Sequence, residues 1–165
     1  MPLEFDRVLR SLVENRVEFV IVGLTAAIAQ GAPLATVDLD ICYLRTQDNA
    51  DRLAAALKPF HPRLRGAPEN LPYKLDAKTI MMGSNFAFVT DAGDVDILGH
   101  ISGIGEYPAM RKNAVETEAF GLRLLMMSLE DVIKSKKAAG RNKDKAQLPV
   151  LEETLRLRRE RAKDL

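Results

Sequence analysis

At 165 residues, with 47% hydrophobic and 28% charged side chains, the chain is long enough to bury one sizeable core and is neither disordered nor fibrous in make-up. A formal net charge of +1 gives no overall field toward nucleic acid or membrane. A single cysteine, Cys42, excludes an internal disulfide framework, and no apolar run approaches the ~20 residues that span a bilayer.

In chain order, Phe5, Val8, Leu9, Leu12 and Val13 recur at helical spacing and predict an amphipathic helix ending near Asn15. The start, Met1 to Arg7, lacks the basic segment and apolar core of a signal peptide, so the expectation is a soluble cytoplasmic protein with no membrane partner. Phe19 to Val22 reads as a short buried strand broken by Gly23. Leu24 to Gln30 reads as an apolar helix stopped by Gly31 and Pro33. A strand follows from about Val37 to Tyr43, and Gln47 to Leu57 is a helix with Leu53, Ala54 and Leu57 inward. Pro59, Pro62, Pro68 and Pro72 predict an irregular loop, and Ala77 to Met82 a turn or two of helix.

Phe86 to Thr90 and Asp94 to Leu98 predict a hairpin across Asp91-Ala92-Gly93, with positive φ expected at the glycine. Tyr107 to Asn113 is expected as a short helix, and Glu116 to Ala119 with Leu122 to Met126 as a strand pair. Ser128-Leu129-Glu130-Asp131 resembles a capping box opening a helix to Ala139, with Gly140 as its C-cap. The tail from Lys143 is helical in pattern, with Pro149 tolerable only at a helix start or kink. No repeat or linker interrupts the chain. One α+β domain over 1–165 is expected, with its core over about 5–127 and C-terminal helices over about 128–165.

Two carboxylate doublets stand out, Asp38-Leu39-Asp40 and Asp94-Val95-Asp96, each inside a strand-forming apolar run. Alternate strand side chains share a face, so each doublet projects one way. Acids among Val, Ile and Leu cost desolvation free energy unless a cation meets them, and oxygen ligands suit Mg²⁺ or Mn²⁺. A solvated edge-strand face is the alternative for Asp38 and Asp40 taken alone. A strand ending at Gly23 with a helix beginning at once offers backbone N–H groups to a phosphate, and glycine allows close approach. Together these features favour metal-assisted phosphoryl chemistry.

These residues resemble the nucleotidyltransferase superfamily with the DNA polymerase beta-like core, and in particular the AbiEii-type nucleotidyltransferase-like proteins. The resemblance rests on Val20-Ile21-Val22-Gly23, Thr36 to Ile41, Gly93 to Leu98 and the block Ser128 to Asp144. It implies a mixed β-sheet with helices packed behind it and a helical C-terminal segment. It also implies Mg²⁺ or Mn²⁺ on Asp38, Asp40 and Asp96, and nucleotidyl transfer from an NTP to an acceptor hydroxyl. Lys136 matches a lysine set against the triphosphate, with Arg141 and Asp144 in the block after it. Gly23, Leu24 and Thr25 match the phosphate turn, where the superfamily carries Gly-Ser or Gly-Gly. Leu24 offers no hydroxyl there, and Thr25 is the donor one position on. The AbiEii-type resemblance implies a toxin acting on tRNA and neutralised by an antitoxin. A housekeeping role, an acceptor on RNA, a protein or a small molecule, a nucleotide-binding or regulatory module without turnover, and a structural protein whose acids merely cap strands stay open.

Other residues carry plainer expectations. Asp94 is expected as a turn residue at the strand entrance, and Cys42 as a small buried filler on the face of Asp38 and Asp40. His61, Arg63 and Arg65 form either a substrate-binding rim, since arginine forks suit phosphate, or a surface loop. His100 follows Gly99 at a strand end, and neither histidine has a partner at zinc-ligand spacing. Arg156, Arg158, Arg159, Arg161 and Lys163, diluted by Glu152, Glu153, Glu160 and Asp164, predict a solvated helix rather than an RNA surface. Met81, Met82, Met126 and Met127 are expected in core or interface packing.

Overall fold

The computed structural model describes residues 4–165. Helix α1 (Phe5–Glu14) buries Val8, Leu9 and Leu12 on one face and leads to strand β1 (Phe19–Ile21), helix α2 (Gly23–Ala29) and strand β2 (Asp38–Tyr43). Helix α3 (Gln47–Leu57) starts on Thr46, whose side chain accepts from Asn49 N, a cap that satisfies one of the orphan N–H groups of a helix start. A 3₁₀ turn (Lys58–Phe60) and a two-residue strand β3 (Arg63–Leu64) lie where the prolines predicted only irregular loop. The strand forms because Arg63 and Leu64 pair with the edge of the next hairpin, Val89 and Phe88. Proline spacing alone gives no sign of such a non-local pairing.

Helix α4 (Ala77–Met82), capped by Asp76, precedes strands β4 (Phe86–Thr90) and β5 (Gly93–Leu98). They form the expected hairpin with Thr90 opposite Gly93, and Gly93 takes φ +118°, a conformation that favours glycine. A small ribbon, β6 (His100–Ile101) and β7 (Gly105–Glu106), was not expected. Helix α5 (Tyr107–Asn113) and strands β8 (Val115–Ala119) and β9 (Leu122–Met126) follow, then helices α6 (Leu129–Ala139) and α7 (Asn142–Lys163). Ser128 accepts from Asp131 N and Gly140 ends α6 at φ +64°. Pro149 sits inside α7, whose helix continues through it rather than beginning there.

The strand order is β3-β4-β5-β2-β1-β9-β8. The sheet is mixed: β2 runs parallel to β5 and β1 to β9, while β1–β2, β3–β4, β4–β5 and β8–β9 are antiparallel. This is the α+β architecture expected from the sequence. Helix α1 packs on α3, α3 on α4, α2 on β2 and α6, and α6 on α7. Along β2 and β5 burial alternates. Leu39, Ile41, Val95 and Ile97 are fully buried, whereas Asp38, Asp40, Asp94 and Asp96 are only partly so. One face of the central pair is therefore core, and the other carries acids. Among the methionines, Met126 and Met127 are buried, Met81 packs against the core, and Met82 is 80% exposed, outside any packing within the chain.

Candidate active site

Parallel pairing sets Asp38 opposite Asp94 and Asp40 opposite Asp96. The two doublets thus form one rectangle of carboxylates across two strands. Asp94 stands near the strand entrance, as the second residue of β5, but it is a ladder residue and not a turn residue, opposite Val89 on one side and Asp38 on the other. The two-residue turn Asp91-Ala92 places it one position inside the strand, and turn chemistry had suggested otherwise.

Asp40 is the strained member. Burial pushes its carboxyl up to about 7, and the neighbouring Asp96 and Asp38 charges add to the rise. Among the described residues its buried Oδ1 has no hydrogen-bond partner, a condition that costs free energy unless a cation or donor meets it. Burial also raises Asp96, against the lowering effect of Arg65. Gly23, at φ +64°, lies directly over this carboxylate. A Cβ there would stand 2.9 Å from Asp40 Oδ2. Only glycine meets both the dihedral and the clearance. Thr25 Oγ1 donates to the Asp38 carbonyl at 3.1 Å, tying the glycine turn to the acidic strand. Leu24 is the second residue of α2.

Asp40, alone of the four acids, lines a cleft of about 400 Å³, within the range of small-molecule sites. Gly23, Asp40, Lys136 and Arg141 all line it, with Asn85, His100 and Ser135. Helix α6 brings Lys136 to the cleft because α6 packs on α2. Lys136 is 11% exposed and its Nζ lies 3.2 Å from Asp144 Oδ1. Arg141 donates from Nε to Asp144 Oδ2 at 2.7 Å and from Nη2 to Oδ1 at 3.1 Å. Asp144 is fully buried. Burial alone would raise its carboxyl, but hydrogen bonds from Arg141 and Lys136 outweigh that and hold it at about 2. Asp144 does not line the cleft. It is a buried anion that holds the two cations which do.

Arg65, expected in a substrate-binding rim or a surface loop, instead reaches the acids, a pairing that residue patterns did not give. It stands just beyond β3, and its Nη2 donates to Asp96 Oδ1 at 2.7 Å and to the Phe88 carbonyl at 3.0 Å. Its Nε lies 3.3 Å from Asp94 Oδ2. His61 instead pairs with Asp91, and Arg63 pairs in the β3–β4 ladder, so the three do not form one rim. His100 lies at the cleft, and Asn85 Oδ1 accepts from the Gly99 and His100 amides. No sequence signal pointed to Asn85. Cys42 is buried and its thiol is pushed up to about 12 by burial, which leaves it inert as a nucleophile. In the tail, Arg156 pairs with Glu153 and Glu160, and Arg159 with Glu130, as a solvated helix would.

The donor set fits a hard divalent ion. Asp38, Asp40 and Asp96 are carboxylates on one face, and the unpartnered Asp40 oxygen is the kind of group a cation satisfies. Among the described residues, no three acidic, histidine or cysteine side chains are arranged as they stand to hold a metal ion. Asp96 Oδ1 is engaged by Arg65 at 2.7 Å.

No protein-family model matches the sequence, and no curated protein matches it. Solved structures do share its fold. A candidate nucleotidyltransferase of Thermotoga maritima, TM1012, is 21% identical over 97% of this chain and 94% of that one, with a TM-score of 0.52. The lincosamide antibiotic adenylyltransferase LnuA, solved with lincomycin bound, is 14% identical over 92% of this chain and 96% of its own, at 0.60. The antibiotic-resistance factor ANT(2'')-Ia is 14% identical over 96% and 88%, at 0.56. The chain has the nucleotidyltransferase fold. No helix among the described residues is long and apolar enough to cross a membrane.

Proposed function

We propose that the chain transfers a nucleotidyl group from an NTP to an acceptor hydroxyl, using Mg²⁺ or Mn²⁺ held by Asp38, Asp40 and Asp96. One observation carries this reading. Gly23, Asp40, Lys136 and Arg141, distant in sequence, line a single cleft beside the acid rectangle. A divalent ion bound to those carboxylates would neutralise phosphate oxygens and orient the attacking hydroxyl. The chain's own residues do the rest. Lys136 and Arg141, fixed by Asp144, supply positive charge where β- and γ-phosphates would lie. The Gly23 turn lets a phosphate approach the backbone closely. Partial burial of the acids lowers the local dielectric and strengthens each of these contacts. The hydroxyl oxygen attacks the α-phosphorus, the α–β bond breaks, pyrophosphate leaves, and the hydroxyl proton passes to a carboxylate of the rectangle.

The acceptor classes to be tested are RNA, protein and small molecules; one of the fold relatives is an adenylyltransferase solved with lincomycin. The AbiEii-type assignment, a toxin role with a cognate antitoxin, and a cytoplasmic location belong to the same proposal. The test is incubation with each labelled NTP, Mg²⁺ and separate pools of RNA, protein and small hydroxyl compounds. Label should move to one pool with release of pyrophosphate, and both Asp40→Asn and Lys136→Ala should abolish transfer while the protein stays folded. Retained turnover in both variants refutes the site.

A second reading, a nucleotide-binding module without turnover, is favoured by the phosphate turn itself. Leu24 offers no hydroxyl, and the Thr25 hydroxyl already donates to the Asp38 carbonyl. Tight NTP binding with no label in any pool supports that reading.

A further inference from the structure

Four carboxylates share one face of β2 and β5, and a single side chain already answers half of them. Arg65 reaches Asp96 through Nη2 at 2.7 Å and Asp94 through Nε at 3.3 Å, and the same Nη2 is anchored on the Phe88 carbonyl at 3.0 Å. Its own backbone N–H donates to the Ala87 carbonyl at 2.9 Å, so the side chain leaves from the sheet edge and crosses β4 to reach β5. Asp96 stands opposite Asp40 in the ladder, and Asp40 Oδ1 has no hydrogen-bond partner among the described residues. The cation therefore contacts one side of the rectangle directly, while Asp40 on the other side feels Lys136 and Arg65 only through space.

We propose that Arg65 is an internal counter-ion of the metal site, engaging Asp96 in the metal-free protein and giving it up when a divalent ion binds. This inference rests on the proposed metal-dependent function and adds a control element to that site. A metal ion that takes Asp96 Oδ1 breaks the charge-assisted contact made there, while the Nε contact to Asp94 can persist as a tether. Asp94 thereby acquires a role distinct from the ligand acids: it retains the guanidinium beside the site after Asp96 has been released. Gly66, immediately after Arg65, adopts φ +82°, and a Cβ placed there would meet nothing within 4 Å. Arg65 itself is one-third exposed, which gives the displaced side chain access to solvent. The arrangement makes metal-free protein tolerant of four clustered acids and weakens its affinity for metal in the absence of nucleotide.

The experiment titrates Mn²⁺ into the full chain without nucleotide, following free ion by electron paramagnetic resonance, for wild type, Arg65→Gln and Arg65→Lys. Removing the competing cation should tighten Mn²⁺ binding by roughly ten- to a hundredfold, the worth of a charge-assisted hydrogen bond. Arg65→Lys keeps the charge but not the fork and should fall between the two. The rise in melting temperature at saturating Mn²⁺ should be larger for Arg65→Gln than for wild type, because its metal-free state loses the counter-ion. Equal or weaker Mn²⁺ affinity in Arg65→Gln overturns the inference. If Arg65→Gln does not fold without metal, the Arg65→Lys titration decides, with unchanged or weaker affinity again overturning it. An Asp40→Asn control separates the two levels. Wild-type binding that Asp40→Asn abolishes, with no gain in Arg65→Gln, sinks only the counter-ion role. No Asp40-dependent binding in any variant sinks the metal site as well.

Discussion

Asp40→Asn should stabilise the metal-free protein, and by an amount that grows with pH. The Asp40 carboxyl sits at about 7 in the fold against 3.8 for the free group. Between those values the folded state holds a proton that the unfolded chain has released. Stability therefore falls as pH rises through that window and is lowest above about 7. At 1.36 kcal/mol per pKa unit the full interval corresponds to about 4 kcal/mol. About two units of it lie between pH 5 and the folded value, worth about 3 kcal/mol. Asparagine cannot ionise, so its advantage over wild type should widen by about 3 kcal/mol between pH 5 and pH 8.5. Any fixed desolvation cost of the amide cancels in that difference. The assay is urea denaturation in EDTA at several pH values, with linear extrapolation to water. A constant advantage across this range, or none at pH 8.5, refutes the reasoning that burial and the facing acids strain this carboxylate. Saturating Mg²⁺ should reverse the order, because wild type then gains a ligand that the variant binds poorly.

Two other perturbations follow from the same geometry. Gly23→Ala forces a Cβ to 2.9 Å from Asp40 Oδ2 at φ +64°; the dihedral alone costs about 1 kcal/mol. Calorimetry should show a lowered melting temperature together with a weaker NTP dissociation constant, and unchanged nucleotide affinity would show that the turn does not meet phosphate. Asp144→Asn leaves Lys136 and Arg141 without their buried anion and should cost about 3 kcal/mol, the usual penalty for breaking a buried pair. Because the Asp144 carboxyl is held down to about 2, its contribution is present above 3.8 and is lost as pH falls toward 2. The variant should lack that part of the acid-unfolding profile, and identical acid profiles would remove Asp144 from its anchoring role.

Most elements were legible because their signals are local. The hairpin announced itself through alternating residues around Asp91-Ala92-Gly93, and α6 through Ser128 before it and Gly140 after it. The acids of each doublet could be paired by face from their spacing alone. What local pattern cannot give is partnership across strands. The β3 edge strand exists only through Val89 and Phe88, and the role of Arg65 depends on that pairing. Asp94 was misplaced for the same reason, since its position in the ladder depends on a turn one residue shorter than the glycine suggested. Asp144 lay within the resembling block, but its burial beneath two cations is a fact of how α6 meets α7. Asn85 organises the end of β5 through the Gly99 and His100 amides, and a lone asparagine between a glycine-serine pair and a strand carries no such message.

Asp144 belongs to α7, yet both side chains it holds serve the cleft, one from α6 and one from the junction between the helices. The C-terminal helix is therefore no appendage that could be exchanged or trimmed while the sheet keeps its chemistry. Modularity stops at the Gly140 turn: evolution or an engineer can vary the outer surface of α7 freely, but its first turn must co-vary with the last two turns of α6.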